Sequence, residues 1–297
     1  MKSPSAAGAR LRVAKTYKLF IGGAFPRTES GRSVALRNRS GEFVANASRA
    51  SRKDLKEAVV AARKAAEGWA GRTAYLRSQI LYRAAEMMES RRESLAATLV
   101  RAHGLTAKAA DAEVSASVDR LVWYAGWCDK LTQVLGNQNP VAGPFFNMSA
   151  PEPMGVVVLF AGDRSPLLGL VSVVAPAICG GNAVVACSPV EHAPVVLDFA
   201  EVLATSDLPA GVVNLLTGHR SELLPTAATH RDIDALGAVG LSAAEQVLLE
   251  SGAATTIKRV WTDEDRTATA WASADRQSLY RVTPFLEVKT SWHPMGL

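Results

Sequence analysis

The most constraining feature of this sequence is a long apolar region, residues 155–238, in which strand-like runs alternate with helical patterns. The order is strand at 155–162, helix at 166–179, strand at 183–187, helix at 193–206, and strands at 211–216 and 233–238. Alternation of this kind predicts right-handed βαβ units around a parallel sheet. The expected fold class is therefore α/β, with ligands bound at the carboxyl ends of the strands.

The region before this sheet is predicted to contain small hairpins followed by three helices. Short apolar runs separated by Gly and Ser turns occupy residues 19–48. A helix is expected to begin at Ser51, because Asp54 lies three positions on and completes a capping box. Two further helices are expected, one after Thr73 and one over about residues 108–135, from apolar residues at helical spacing.

The composition excludes several classes of protein. The 297 residues are 48% hydrophobic and 21% charged, with a net charge of +5 and a pI near 9.2. The basic residues are interleaved with acidic ones and only 6% of residues are aromatic, so binding to nucleic acid is not expected. Residues 165–190 carry no charge, but Pro176 and Pro189 interrupt them. A buried helix and strand are expected there rather than a membrane span.

Cysteine and histidine usage indicates the compartment and the absence of a metal site. Cys128, Cys179 and Cys187 show no CxxC spacing, and the five histidines are scattered. This argues against a disulfide framework or a zinc site and favours a reducing, cytoplasmic location. The basic tail, residues 1–18, has no apolar stretch typical of a secretory signal, which leaves a frayed tail or a transit peptide.

A charged pair follows the first strand of the apolar region, in the stretch FAGDRSPLL. Asp163 and Arg164 lie where an α/β sheet places its ligands, so this pair is a candidate site. The favoured interpretation is an incidental ion pair at the surface, with the candidate site as the alternative.

Several segments resemble, in order, the first half of the cofactor domain of the aldehyde dehydrogenase superfamily. They are APEPMGVVVLFAG, SPLL, APAICGGNAVVACSPVEHAP and LPAGVVNLLTG, with LFIGGAF before them and FLEVKTSWHP after them. The resemblance implies a Rossmann-like parallel-sheet half-domain, an arm hairpin and a C-terminal oligomerisation strand, with the catalytic domain largely deleted. The implied divisions are a tail at 1–18, hairpins and helices at 19–136, the arm hairpin at 137–154, a degenerate dinucleotide-binding domain at 155–262, a connector at 263–281 and the strand at 282–297.

The site residues that the resemblance implies are altered. The family's Pro-Trp-Asn turn, whose Asn holds the oxyanion, falls on Gly162-Asp163-Arg164, so Arg164 marks a degenerate oxyanion position. The family's Lys-Pro-Ser/Ala-Glu stretch, which grips the adenosine ribose, appears as Ser188-Pro189-Val190-Glu191. Glu191 is retained, whereas Ser188 replaces the lysine and its charge.

The turn that places the pyrophosphate over a helix N-terminus in the family matches residues 239–242 here. Gly240 and Ser242 occupy that turn, and Glu245 replaces a glycine. A carboxylate in the first turn of this helix opposes phosphates by like charge. Ser188, Glu191, Gly240 and Ser242 are therefore interpreted as vestigial cofactor-binding residues. No cofactor is expected, with NAD(P) only as a weak alternative.

The chemistry of the family is expected to be missing as well. Residues 257–282 stand where the family carries its general-base glutamate and nucleophilic cysteine, and no cysteine follows Cys187. The chain resembles the truncated, cysteine-less module of a two-module branch of the superfamily. The leading hypothesis is a non-catalytic structural or regulatory subunit, a pseudoenzyme that assembles with a full-length aldehyde dehydrogenase or with itself.

Two other functions stay open from the sequence. One is an NAD(P)-dependent aldehyde dehydrogenase with displaced or partner-supplied chemistry, using Cys179 or Cys187. The apolar surroundings of both cysteines argue against a reactive thiolate. The other is a nucleotide-sensing module without turnover, which rests on Glu191 alone.

The expected oligomerisation strand shows a period of two. One face carries Leu286, Val288, Thr290 and Trp292, the candidate interface, and the other carries Glu287, Lys289 and Ser291 as a solvated face. Pro284 and Pro294 are expected to limit the strand. The favoured interpretation is a strand that reaches a neighbouring subunit, and the alternative is an edge strand that closes its own sheet.

Overall fold

The structure is a computed structural model, which describes residues 13–296 of the chain. Most of the basic tail expected at residues 1–18 lies outside them. The elements follow in the order β1 (Thr16–Tyr17), β2 (Ser33–Arg37), β3 (Phe43–Ser48), α1 (Arg52–Ala70), α2 (Ala74–Ser90), α3 (Arg92–His103), α4 (Ala107–Ala125), α5 (Leu131–Leu135), β4 (Asn137–Gln138), β5 (Phe145–Pro153), β6 (Val156–Phe160), α6 (Leu168–Cys179), β7 (Ala183–Ser188), α7 (Ala193–Ala204), β8 (Val213–Thr217), α8 (Arg220–Thr229), β9 (Ala235–Val239), α9 (Ala243–Ala254), β10 (Arg259–Asp263), α10 (Ala268–Trp271) and β11 (Leu286–Pro294).

A central sheet of five parallel strands confirms the predicted α/β class. Its order is β10–β9–β6–β7–β8. Side chains of β6 alternate between two apolar clusters: Val157 and Leu159 pack with residues of α2–α4, α6 and α7, while Val156, Val158 and Phe160 pack with residues of α1, α8 and α9. Helices cover both faces, which explains why the strands read as continuous apolar runs.

Helix α1 begins as the sequence predicts. The Ser51 side chain accepts hydrogen bonds from the backbone of Lys53 and Asp54, and the Asp54 carboxylate accepts one from the Ser51 backbone at 2.7 Å. The same carboxylate accepts hydrogen bonds from the Thr28 hydroxyl at 2.6 Å and the Glu29 backbone at 3.0 Å. The capping box is thus confirmed, and it also fixes the segment that precedes β2.

The helical region differs from the prediction in its breaks. The expected second helix is two helices, α2 and α3, separated at Arg91, where the backbone has φ −109° and ψ 13°. The expected third helix ends at Gly126, and α5 follows as a separate short helix. Strand β10 was not predicted. Its half-buried residues and edge position give a weaker apolar pattern than the inner strands have.

The connector between β10 and β11 packs against the helices. Trp271 of α10 is buried, and the Arg120 guanidinium of α4 donates hydrogen bonds to the backbone oxygens of Trp271 and Arg276. Arg120 also donates to the Ser172 hydroxyl of α6 at 3.1 Å. The connector therefore covers the surface formed by α4 and α6 of the same chain.

None of the helices within residues 13–296 combines the length and apolar character that crossing a membrane requires.

Candidate functional site

A cleft of about 420 Å³ opens at the carboxyl ends of β6, β7, β8 and β9. It is lined by four of the five predicted site residues, Ser188, Glu191, Gly240 and Ser242. Ser188 ends β7, Glu191 follows in the next turn, and Gly240 and Ser242 lie between β9 and α9. The structure thus brings these four residues together, at the place where open α/β sheets receive ligands.

Ser188 carries the clearest sign of a binding site. Its side chain is only 3% exposed, and its hydroxyl oxygen has no hydrogen-bond partner within residues 13–296. A buried hydroxyl without a partner costs about 1–3 kcal/mol. Because Ser188 lines the cleft beside Glu191, a polar ligand that reaches this hydroxyl from the cleft would satisfy it.

The N-terminus of α9 is already filled by the chain's own carboxylate. Ser242 is the N-cap, and Glu245 forms the return half of a capping box, accepting hydrogen bonds from the Ser242 backbone and hydroxyl, both at 2.9 Å. The backbone hydrogen bond from Ser242 lowers the pKa of Glu245. The negative charge expected at this position is therefore present and held in place by the helix end.

Arg220 was not identified from the sequence. Its guanidinium donates hydrogen bonds to the backbone oxygens of Ala161, Val239 and Gly240, each at 2.9 Å. These carbonyls follow β6 and end β9, so Arg220 connects the two strand ends across the cleft. No local motif marks such a contact, because it depends on residues brought together only by the sheet order.

Asp163 and Arg164 do not form the expected surface ion pair, which corrects that interpretation. No salt bridge joins them in the described part of the chain. Their backbone N–H groups instead donate to the carboxylate of Asp265 in the connector, at 2.9 and 3.4 Å. Burial, and then the neighbouring carboxylates of Asp265, Glu191 and Glu245, raise the pKa of Asp163, although Arg220 lowers it.

Arg164 lines a second cavity, of about 320 Å³, apart from the other four site residues. His103 and His192 lie on the wall of this cavity, with ring centroids 5.3 Å apart in an edge-to-face arrangement. Burial lowers the pKa of His103 to about 4 and that of His192 to about 3. Both imidazoles are therefore neutral at physiological pH.

The three cysteines are buried, and no disulfide bond joins any two of them. Cys187 lies on the wall of the cleft, but burial raises its pKa to about 12. Hydrogen bonding with Cys128 and burial raise the pKa of Cys179 well above its usual value. Neither Cys179 nor Cys187 is thus a thiolate at neutral pH. In residues 13–296 no three His, Cys, Asp or Glu side chains cluster as metal ligands.

The candidate interface residues lie in a separate three-stranded sheet of order β11–β5–β4. Strand β11 pairs antiparallel with β5 of the same chain along its whole length, from Leu286 opposite Pro153 to Pro294 opposite Phe145. This is the intramolecular pairing given above as the alternative, and contact of the strand with a neighbouring subunit stays a prediction. The strand also extends through Pro294, which occupies its last position.

Three of the four candidate residues are exposed on this sheet. Val288 is 64% exposed and Trp292 is 60% exposed, while Leu286 is buried. The Thr290 hydroxyl is hydrogen-bonded to that of Ser149 at 2.8 Å. The opposite face is exposed as expected but less polar, because β5 adds the exposed side chains of Phe146 and Met148 to it.

Comparison with known proteins now identifies the family. The sequence model described as "Aldehyde dehydrogenase family" matches residues 27–264. The chain belongs to this family. It is 30% identical over 250 residues to "Aldehyde dehydrogenase, cytosolic 1" of Elephantulus edwardii, a match that covers 82% of this chain and 49% of the relative. The chain therefore spans about half the length of the curated relatives it matches.

Solved structures agree. A variant of an aldehyde dehydrogenase from Bacillus cereus superposes with a TM-score of 0.79 and 28% identity, covering 84% of this chain and 51% of that chain. Betaine aldehyde dehydrogenase from Staphylococcus aureus, solved in complex with NAD⁺, has the same fold (TM-score 0.78, 22% identity, 83% and 49% coverage). The expectation of no cofactor is contradicted by this comparison, in which a protein of the same fold was solved with NAD⁺.

Proposed function

We propose that this chain is a non-catalytic aldehyde dehydrogenase-like subunit that assembles with a full-length aldehyde dehydrogenase through the β11–β5–β4 sheet. The observation that carries the proposal is the apolar surface formed by Phe145, Val288 and Trp292, on a sheet whose outer edge, β11, is unpaired within the described residues. An exposed edge strand with apolar side chains is a site for strand addition.

The absence of catalysis is proposed from the thiols. The family resemblance implies a nucleophilic cysteine, and nucleophilic attack requires a thiolate. Burial opposes ionisation of Cys187, and burial together with hydrogen bonding opposes that of Cys179. The connector from β10 to β11 contains no cysteine. A second candidate, an enzyme with displaced chemistry, is supported by the position of Cys187 on the cleft wall but opposed by its pKa.

The proposal includes a nucleotide of the NAD(P) type in the cleft. The Ser188 hydroxyl, buried and without a partner, and the Glu191 carboxylate would hold ribose hydroxyls, since both line the same wall. NAD(P), when bound, supplies hydride transfer in this family; in this chain the cleft residues only bind and orient the nucleotide. The nucleotide then serves a structural or sensing role in the assembly.

Co-isolation from the native host tests the assembly. A tagged chain is expected to bring down a full-length aldehyde dehydrogenase, identified by mass spectrometry. The double variant Val288→Asp/Trp292→Asp should lose it because two charges enter the apolar surface. Val60→Asp is the matched control, since Val60 is also 64% exposed but lies on α1. Recovery of the chain alone, or equal recovery with the double variant, contradicts the proposal.

An activity assay tests the non-catalytic part separately. The purified chain, given an aldehyde and NAD, is expected to form no NADH. Turnover that disappears in Cys187→Ser would support the second candidate and contradict the leading one.

A further inference from the structure

Asp265 lies between the carboxyl ends of β6 and β9. Its carboxylate accepts hydrogen bonds from the backbone N–H groups of Asp163 and Arg164, which follow β6. The two glycines beside it leave room for this approach. A methyl group on Gly162 would overlap the Asp265 carboxylate, and one on Gly240 would lie 2.7 Å from the Asp265 Cβ. Both strand ends are thus shaped to receive this side chain.

This position is the point at which the order of the sheet reverses. From β6 the chain adds β7 and β8 on one side, and then returns to add β9 and β10 on the other side. The crevice between β6 and β9 is where open α/β sheets of this kind receive a dinucleotide. Asp265 therefore places a negative charge in the crevice and takes up the two backbone N–H groups that could otherwise bind an anion.

The connector holds Asp265 in this crevice from both sides. Asp263 accepts hydrogen bonds from Arg266 at 2.9 Å and Arg281 at 2.6 Å. Further along the chain, the Trp271 side chain is buried, and its backbone oxygen accepts a hydrogen bond from the Arg120 guanidinium. Because the segment is anchored before and after Asp265, the carboxylate competes with any ligand at a high effective concentration.

The other end of the cleft is open. Ser188 and Glu191 line its β7 side, and the hydroxyl of Ser188 has no partner in the described part of the chain. The glutamate at the start of α9, Glu245, already binds the end of that helix.

Phosphates entering the crevice would thus face the carboxylates of Asp163, Asp265 and Glu245. The Arg220 guanidinium lies there too, but it donates to backbone oxygens of the two strand ends. An uncharged nucleoside would not meet this net negative charge.

We propose that Asp265 is a specificity-determining residue that disfavours the pyrophosphate of a dinucleotide, so that the cleft holds a nucleotide of the NAD(P) type mainly by its adenosine end. The inference rests on the proposed nucleotide role of the cleft. On this proposal, a side chain of the connector occupies part of the binding site of the same domain. The proposal also predicts that the Asp265 carboxylate limits the affinity for NAD more than the ribose-binding wall does.

Isothermal titration calorimetry with adenosine and with NAD tests this proposal. Asp265→Ala removes the carboxylate and keeps the Cβ that packs on Gly240. It is expected to bind NAD at least about tenfold more tightly than the parent, the size that a loss of about 1.4 kcal/mol of repulsion gives. Adenosine should bind both proteins equally. Glu264→Ala is the control, because Glu264 carries the same charge but is exposed.

Each outcome of the titrations supports or contradicts a stated part of the proposal. Equal NAD binding by Asp265→Ala and the parent, with adenosine bound, overturns the inference and leaves the nucleotide role standing. A parent that binds NAD more tightly than adenosine also overturns it. Failure of the parent to bind adenosine contradicts the nucleotide role itself. If circular dichroism shows that Asp265→Ala is unfolded, Asp265→Asn removes the charge at constant size and should give the same direction of change.

Discussion

The ring of Trp292 meets the ring of Phe145 edge to face, with centroids 5.8 Å apart. The two residues lie on neighbouring strands, β11 and β5, and belong to the same chain. The sheet that presents the proposed interface is therefore organised before any partner binds. Because the chain need not order this surface on association, little conformational entropy is lost there.

Truncation of β11 should separate assembly from folding. Removing residues 288–297 takes away side chains that are exposed at positions 288–296, and is expected to leave the α/β domain folded. Removing residues 283–297 also deletes Phe285 and Leu286, both buried in the core, and should cost several kcal/mol, at about 2–5 kcal/mol for each buried side chain. Thermal unfolding of both truncations measures this. Equal melting temperatures would contradict the burial of Phe285 and Leu286 at the start of β11.

Trp271 should carry much of the stability that the connector provides. The side chain is 1% exposed and packs near Gly169 of α6. Trp271→Ala is expected to lower the free energy of unfolding by about 3–5 kcal/mol through loss of packing and a cavity. Tyr280→Ala, in the same connector but 84% exposed, should change it by less than about 0.5 kcal/mol. Urea unfolding of both variants is the measurement, and similar losses would show that the connector is not anchored by Trp271.

The buried imidazoles predict a loss of stability in mild acid. The pKa of His103 is lowered to about 4, and that of His192 to about 3, mainly by burial. In the unfolded chain the pKa is about 6.5, so between that value and about 4 the unfolded state binds more protons. Stability is thus fully present above pH 6.5 or so and falls as the pH is lowered, by about 2 kcal/mol per histidine between about pH 7 and about pH 5.

Buried carboxyls act in the opposite direction. Burial raises the pKa of Glu113 and of Asp198, so each contributes stability at low pH that is lost as the pH rises. Urea unfolding of the parent at the two pH values measures the net effect. The variant His103→Asn/His192→Asn isolates the histidines, because its stability should depend less on pH than that of the parent. The same pH dependence in both proteins would contradict the assignment.

The cysteines should resist alkylation in the folded protein. All three are buried, and both Cys179 and Cys187 have a raised pKa, so few thiolates are available. Intact-mass measurement after iodoacetamide treatment is expected to show no adduct in the native chain and three after unfolding in urea. A single rapid adduct on the native chain would indicate an activated thiol and would favour the displaced-chemistry enzyme.

The sequence predicts best what depends on short-range pattern. Buried runs such as VVVLF of β6 are unambiguous because helices cover both faces of the strand, and the capping box at Ser51 needs only residues three apart. The break at Arg91 has no Gly or Pro to signal it, and edge strand β10 is only half-buried. These elements depend on tertiary packing and could not be read from local sequence.

The candidate site, too, was only partly predictable from the sequence. Ser188, Glu191, Gly240 and Ser242 were found because a family resemblance aligns them, and the sheet order then brings them to one cleft. Asp265 contacts residues about one hundred positions away, and Arg220 donates to carbonyls of two strands. Neither has a motif, because a backbone N–H or carbonyl partner leaves no mark on residue identity.

Light scattering gives the most direct test of assembly through the β11–β5–β4 sheet. The parent, measured with the aldehyde dehydrogenase that co-isolates with it, is expected to show a molar mass well above its own 31.5 kDa. Val288→Asp/Trp292→Asp should return the chain to that mass, while Val60→Asp should behave as the parent does. If the double variant keeps the molar mass of the parent complex and remains folded, the apolar surface of β5 and β11 is not the interface.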